Sequence, residues 1–340
     1  MLKLQNLIKK NKLDAILVYG DEYDSRYIKY TTGIEIVSLG FILIQPKSIK
    51  IATFSYLLDD LKKKTNLEVV SIEDDITVKR DLSILLKDFN KVGIVGNLPY
   101  RFLDQKKVYL DITEDFEKLI SVKTSKDIKG IYSSAKLLSK ILDEVGKRLV
   151  GGLTSEIEIE KLIKKLIIEN SAKEAFPVSI GSDELLLKST VGTARNRNIE
   201  KYVCIDVGLV KNGFYSDMTR MFFLKKDSVF DSYSKLSFIK KKISKNSRNF
   251  TSMKSLKKLL NSELEKNGFS GLSDEYVGHG IGFGLHEFPV FFQKESKDFK
   301  FKCGNVFTLE PEVRLNNGVN IRIEDMYRIN SKGGIIQLTY

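Results

Sequence analysis

The sequence predicts an α+β protein of two domains, a smaller α/β domain over residues 1–122 and a larger one over 123–340. Three observations carry this. A chain of 340 residues is longer than one hydrophobic core usually serves. Its first part alternates helical and strand patterns, as α/β domains do. Then a polar stretch, Val122-Lys123-Thr124-Ser125-Lys126-Asp127, precedes a long helical pattern and a set of strand-like runs joined by turn signals.

Each element follows in order. The opening stretch, residues 1–10, has the apolar spacing of a short amphipathic helix, and it lacks the apolar core and cleavage site of a secretion signal. Leu13–Tyr19 reads as a buried strand. Gly40–Ile44 and Ile49–Thr53 read as strands joined by a turn at Pro46-Lys47-Ser48, and Val92–Gly96 as another short strand. No cluster of His, Cys or paired carboxylates falls in this part, so the first domain is expected to support the chemistry without carrying it. In the second domain Ile128, Ile131, Ala135, Leu138 and Ile141 recur at helical spacing until Gly151-Gly152 stops them. Thr154-Ser155-Glu156-Ile157-Glu158 opens a second helix with a capping-box signature. Neither an internal repeat nor a low-complexity linker is evident.

Composition removes several function classes. With 42% hydrophobic and 29% charged residues the chain is neither disordered nor fibrous. No apolar run approaches the ~18 residues of a membrane span. The net charge of +12 raises nucleic-acid binding, yet the lysines are scattered. Lys9-Lys10, Lys62-Lys63-Lys64 and Lys240-Lys241-Lys242 each have apolar neighbours at helical spacing, so they are expected on solvated helix faces. Cys204 and Cys303 are too few for a disulfide framework. Both are expected as buried thiols in a reducing, cytoplasmic compartment.

The chemistry is concentrated in the second domain. The chain has only two histidines, His279 and His286, and both lie in Gly278-His279-Gly280-Ile281-Gly282-Phe283-Gly284-Leu285-His286-Glu287-Phe288-Pro289. Imidazole is the commonest metal ligand and the usual near-neutral acid or base. Four carboxylates can meet them. Asn212-Gly213 between two strand-like runs is the strongest short-range hairpin signal. It pairs 208 with 217 and sets Asp206 diagonally from Asp217 on the same face, ~7–8 Å away at most. Asp is depleted in strands, so two on one face call for a cation. Asn316-Asn317-Gly318 closes a second hairpin, whose register sets Glu310 opposite Glu324, with Pro311 as a place where a bulge could shift it. Any one of these acids could sit on an exposed hairpin face; their joint spacing argues against that. Two carboxylate pairs and an imidazole suit a pair of divalent ions, Mn, Co, Fe or Zn, rather than a thiolate-selected metal.

These residues resemble the pita-bread metallopeptidase family, which includes methionine aminopeptidase, aminopeptidase P, prolidase and creatinase. The likeness lies in Ile205-Asp206-Val207-Gly208, Tyr215-Ser216-Asp217-Met218-Thr219-Arg220, the histidine segment, Leu309-Glu310-Pro311 and Ile321-Arg322-Ile323-Glu324-Asp325. It implies a C-terminal pita-bread (creatinase/aminopeptidase-like) domain, preceded by the α/β N-terminal domain of the Xaa-Pro peptidase branch, for which Tyr27-Ile28-Lys29-Tyr30-Thr31-Thr32-Gly33 is a weaker cue. The implied activity is removal of an N-terminal residue ahead of proline from dipeptides or short peptides, by a hydroxide bridging two metal ions. By resemblance Asp206 and Asp217 hold one ion, His279 and Glu310 the other, and Asp217 and Glu324 bridge them. Glu310 shuttles the proton, and His286 donates a hydrogen bond to the substrate or the tetrahedral intermediate. Arg322 fixes a ligand carboxylate, or alternatively makes a cross-strand surface ion pair. A homodimer is the family expectation.

One departure stands out. Active relatives carry a further histidine ahead of the first aspartate; the matching segment here is Lys188-Ser189-Thr190-Val191-Gly192-Thr193, with Val191 as the best match. This opens two alternatives: a related hydrolase of altered specificity, and a catalytically inactive binding protein on the peptidase fold.

Overall fold

The computed structural model describes residues 2–35, 38–245, 252–273, 276–292 and 298–340. Met1, the first residue of the expected opening helix, lies outside the described residues. The chain forms two compact units, Met1–Ile120 and Ser121–Tyr340. The division falls two residues ahead of the expected one because residues 121–123 bind into the second unit. Asn305 Nδ2 donates to the Ser121 carbonyl, Val122 bridges Asn305, and Lys123 N–H donates to the Gly304 carbonyl.

The first unit is a six-stranded mixed sheet with helices on both faces. Its helices are α1 (Leu2–Asn11), α2 (Arg26–Thr32), α3 (Leu58–Lys64), α4 (Val78–Leu85) and α5 (Thr113–Ile120). Its strands are β1 (Ala15–Gly20), β2 (Gly40–Ile44), β3 (Ile49–Phe54), β4 (Glu68–Ile72), β5 (Lys91–Val95) and β6 (Val108–Asp111), in the order β4-β3-β2-β1-β5-β6. Alternation along β1 explains the two layers. Ile16 and Val18 pack with Leu4, Ile8, Ile28 and Phe116 on one face, while Ala15 and Leu17 pack with Val78 and Leu82 on the other. Strands β4 and β6 were not legible in the sequence. They lie at the sheet edges and are partly exposed, so neither shows a clear apolar pattern.

The second unit opens with α6 (Ser125–Val150), capped at Thr124 by a reciprocal capping box with Asp127 and ended at Gly151. Helix α7 (Glu156–Glu169) is capped by Ser155. Strands β7 (Lys173–Glu174), β8 (Ser179–Ser182), β9 (Tyr202–Lys211) and β10 (Phe214–Phe223) form one sheet. Then come α8 (Ser228–Lys245), α9 (Met253–Lys266), β11 (Tyr276–Gly280), β12 (Glu287–Phe292), β13 (Val306–Leu309), β14 (Glu312–Arg314), β15 (Asn320–Arg322), β16 (Asp325–Ile329) and β17 (Ile335–Gln337). A five-stranded sheet runs β12-β11-β13-β16-β17, and β14 pairs with β15.

Strand β9 sorts its side chains between two cores. Val203, Ile205, Val207 and Leu209 pack on α6 and α7, whereas Tyr202 and Cys204 face the core lined by α8 and α9. Asp206 continues that second face at the end where the apolar packing stops. Two expectations are corrected here. Lys240 is buried rather than solvated, because α8 packs that face on the sheet and its ammonium meets the Asp325 carboxylate. Cys303 is exposed, because it sits in the turn ahead of Asn305, while Cys204 is buried on β9 as expected. Among the described residues no helix is long and apolar enough to cross a membrane.

Candidate metal centre

Both hairpins take the expected registers, and these registers build the site. Asn212 and Gly213 have φ of 52° and 71°, the left-handed pair that a two-residue turn requires. Asp217 therefore pairs with Gly208 and Thr219 with Asp206, so Asp206, Asp217 and Thr219 share one face. Gly208 is needed there: a Cβ would lie 2.6 Å from the Phe176 ring and 2.9 Å from the Ser216 carbonyl. In the second hairpin Gly318 is left-handed at φ 85°, and Glu312 pairs with Arg322. The same register resumes beyond Pro311, where Leu309 pairs with Asp325. Glu310 and Glu324 thus stand opposite each other in the gap that Pro311 opens between β13 and β14, with no bulge shifting them.

His279 reaches the same point from β11. Gly278, at φ 151°, lets this strand approach β13 so closely that a Cβ would lie 2.2 Å from the Thr308 carbonyl oxygen. The His279 ring is fixed by its Nδ1, 2.9 Å from the Gly280 carbonyl oxygen. A carbonyl only accepts, so Nδ1 carries the proton and Nε2 presents its lone pair. That lone pair faces three carboxylates: Asp217 at 3.6 Å, Glu310 at 3.7 Å and Glu324 at 4.0 Å. Donor atoms of Asp217, His279 and Glu324 all lie within 4.8 Å of one another, close enough to hold a metal ion. Asp206 and Glu310 line the same cavity, of about 600 Å³, with His286 and Arg322.

The electrostatics are those of a site short of positive charge. Burial first, then the neighbouring Asp206 charge, pushes Asp217 well above the usual carboxylate range. Burial and Glu324 do the same to Glu310, and burial with Asp217 and Asp206 raises Glu324 to about 8. Burial depresses His279, keeping it neutral and able to ligate. Arg322 lies 2.5 Å from Asp206 Oδ2; burial, the largest single effect, would lower its pKa, but Asp206 and the other negative groups around it, Glu324 and Glu310 among them, together hold it above its usual range. Arg322 is thus buried against a site carboxylate, not on the surface.

The donor set fits divalent metal. Asp206 Oδ1, Asp217 Oδ1 and Glu324 Oε1 are buried oxygens without a hydrogen-bond partner among the described residues. Native structures rarely leave such acceptors unfilled, and an ion is one of the ordinary reasons. The remaining site candidates fall as follows. His286 sits at the end of the turn before β12, its ring 4.4 Å from that of His279, at the cavity wall. Val191 is 51% exposed and outside the lining of this cavity.

Other contributors were missed from sequence. Thr219 Oγ1 donates to Glu324 Oε2 at 2.9 Å. Its position two residues after Asp217, on the same strand face, was the available signal. Phe176, Tyr276, Leu285 and Val290 supply apolar wall, and nothing local distinguishes them from core residues.

Comparison with known proteins places the chain among peptidases of one family and fold. Residues 129–331 match metallopeptidase family M24. The Xaa-Pro dipeptidase of Pyrococcus horikoshii is 24% identical over 345 residues, covering 97% of this chain and 94% of that protein. The crystal structure of the prolidase from Pyrococcus horikoshii OT3 superposes with a TM-score of 0.87 at 23% identity, over 100% of this chain and 97% of that one. That of the X-Pro aminopeptidase from Thermotoga maritima gives 0.83 at 22% identity, over 99% and 97%. The fold is therefore the α+β pita-bread arrangement preceded by a smaller α/β unit.

Proposed function

Since the chain belongs to metallopeptidase family M24, we propose that it is an Xaa-Pro exopeptidase, dipeptidase or aminopeptidase, acting on dipeptides or short peptides. One observation carries the reading: Asp217, His279 and Glu324 converge within 4.8 Å in a cavity where three site carboxylates keep unpartnered buried oxygens. The full-length likeness to an Xaa-Pro dipeptidase supports the choice of substrate class.

In this reading two divalent ions (Mn, Co, Zn or Fe) would be held by five residues: Asp206 and Asp217 would serve one ion, His279 and Glu310 the other, and Asp217 and Glu324 would serve both. Bound divalent ions lower the pKa of water and polarise the scissile carbonyl. The protein's own groups then complete the chemistry. Glu310, ionised when it holds an ion, takes a proton from water and returns it to the leaving amine. His286 donates a hydrogen bond to the oxygen that gains charge. Arg322 holds Asp206 in place, and the Gly280 carbonyl holds His279 in its ligating tautomer. Phe176, Leu285 and Val290 give the substrate apolar wall.

The first unit is read as the N-terminal domain of the Xaa-Pro branch, and the working form as a homodimer. A cytoplasmic location fits the two free cysteines. A second reading, a related hydrolase of altered specificity, is favoured by the half-exposed Val191 standing where relatives place a histidine. The test is hydrolysis of an Xaa-Pro dipeptide and an Xaa-Pro-Xaa tripeptide by metal-stripped protein refilled with Mn, Co, Fe or Zn. Cleavage ahead of proline that returns with metal is expected, and the better of the two peptides assigns the substrate length. Cleavage of peptides lacking proline in preference to both would select the second reading; no cleavage in any metal would overturn the first.

A further inference from the structure

Outside the metal centre, Lys123 and Glu287 are two fully buried charges beside the turn that carries His286. Their side chains are wholly inaccessible to solvent and paired, although 164 residues separate them in the chain. Lys123 lies just ahead of α6 and is anchored through its N–H to the Gly304 carbonyl. Its alkyl chain passes Gly282, where a Cβ would come within 2.8 Å of the Lys123 Cε, and its ammonium lies 5.5 Å from the Phe283 ring centre. Glu287 opens β12, immediately after His286. Its Oε1 accepts from the N–H groups of Phe283 at 2.6 Å and Gly284 at 2.7 Å, while Oε2 faces Lys123. One carboxylate therefore holds both ends of the turn that carries Leu285 and His286 to the cavity.

We propose that Lys123 and Glu287 form a buried clamp that positions His286 against the metal centre. They are positioning residues, since neither lines the cavity. The geometry demands a carboxylate. Donors approach Glu287 from two sides, an ammonium on one and two backbone N–H groups on the other, and a carboxylate accepts on both. Glutamine has one oxygen and one NH2, so it must turn a donor toward a donor on one side. With Lys123 replaced by an apolar chain, that conflict disappears. The proposal rests on the reading that His286 acts on the substrate, but it can be tested without it.

Only two histidines occur in the chain, so the imidazole carbon–proton spectrum of the zinc-loaded protein contains two Cε1–H signals, assigned with His286→Asn. Glu287→Gln is expected to displace the His286 signal, leave the His279 signal and the metal content in place, and lower kcat at least tenfold with KM nearly unchanged. Lys123→Met combined with Glu287→Gln is expected to return the His286 signal and kcat toward wild type, which a purely structural loss would not do. A His286 signal in Glu287→Gln that overlays wild type, or equal movement of both signals, would overturn the clamp. If the single variant does not fold, the double variant decides: a wild-type His286 signal supports the clamp and a displaced one overturns it. A displaced signal with unchanged kcat would keep the clamp and remove the substrate role of His286.

Discussion

Arg322 and Asp206 meet across two strands, Nη2 to Oδ2 at 2.5 Å, with side chains only 10% and 14% exposed. This pair sets two effects against each other. The guanidinium repels an incoming cation, yet it also fixes the carboxylate that would hold one. Loss of a group that orients a ligand typically lowers metal affinity ~10–100-fold. Arg322→Met is therefore expected to weaken zinc binding by that factor in a chelator competition, with Arg322→Lys in between. Tighter binding in Arg322→Met would show that repulsion dominates.

Protonation of the carboxylates gives a second prediction. Glu324 is raised to about 8 by burial and then by the charges of Asp217 and Asp206, and Asp217 and Glu310 move the same way. An acid whose folded pKa lies above its unfolded value takes up protons on folding. The stabilising contribution of Glu324 to the metal-free protein is thus full below the ordinary value of 4.5 and is lost as pH rises toward about 8. Ligation needs the ionised forms, so metal uptake at pH 7 releases protons, and affinity climbs as pH rises toward 8. Calorimetry in buffers of different ionisation enthalpy measures the release; heats independent of buffer would contradict it.

Thr219 offers a quieter test. Its hydroxyl is the hydrogen-bond donor to Glu324 Oε2, and valine keeps the shape while removing the donor. Leaving a buried acceptor unfilled costs about 1–3 kcal/mol. Thr219→Val should lower the stability of the metal-free protein by that amount, read as a lower denaturant midpoint at unchanged slope, and Thr219→Ser should recover most of it.

Behind Glu324, Asp325 meets two basic side chains, the part-buried Arg220 and the buried Lys240. Its Oδ1 accepts from Arg220 at 2.5 Å and from Thr339 at 2.6 Å, and its Oδ2 faces Lys240. Burial, then the Arg220 charge, depresses Lys240 well below its ordinary value. Removing one partner of a buried pair costs about 3–5 kcal/mol when the other is left alone. Arg220→Met leaves Asp325 with a lysine whose charge burial disfavours, and also removes hydrogen bonds to the Thr219 and Glu324 carbonyls, so it is expected to approach that range. Lys240→Met leaves Asp325 with Arg220 and should cost clearly less in the same denaturation experiment. Equal costs would contradict this ordering.

What the sequence disclosed follows the range of the interactions. Asn212-Gly213 and Asn316-Asn317-Gly318 encode their turns locally, and strand arithmetic then carries Asp206 to Asp217 and Glu310 to Glu324. Pro311 interrupted the ladder without shifting the register, so that inference survived. What stayed hidden depends on distant partners. Lys240 stands in a run of three lysines, and only the strand bearing Asp325 makes it an interior residue. Lys123, in the polar stretch at the domain boundary, and Glu287, in the histidine segment, show no local sign of being partners until the fold joins them. Edge strands β4 and β6 bury too little to leave a pattern, and a turn, not a strand, exposes Cys303.

The most direct test of the metal centre is elemental analysis of the purified full-length protein and Asp217→Ala after equilibration with manganese and gel filtration, with Xaa-Pro hydrolysis assayed on the same samples. Two ions per wild-type chain are expected, with loss of at least one in Asp217→Ala and loss of hydrolysis with it. A wild-type chain that retains no ion, or an Asp217→Ala variant that keeps both ions and full activity, would contradict this expectation.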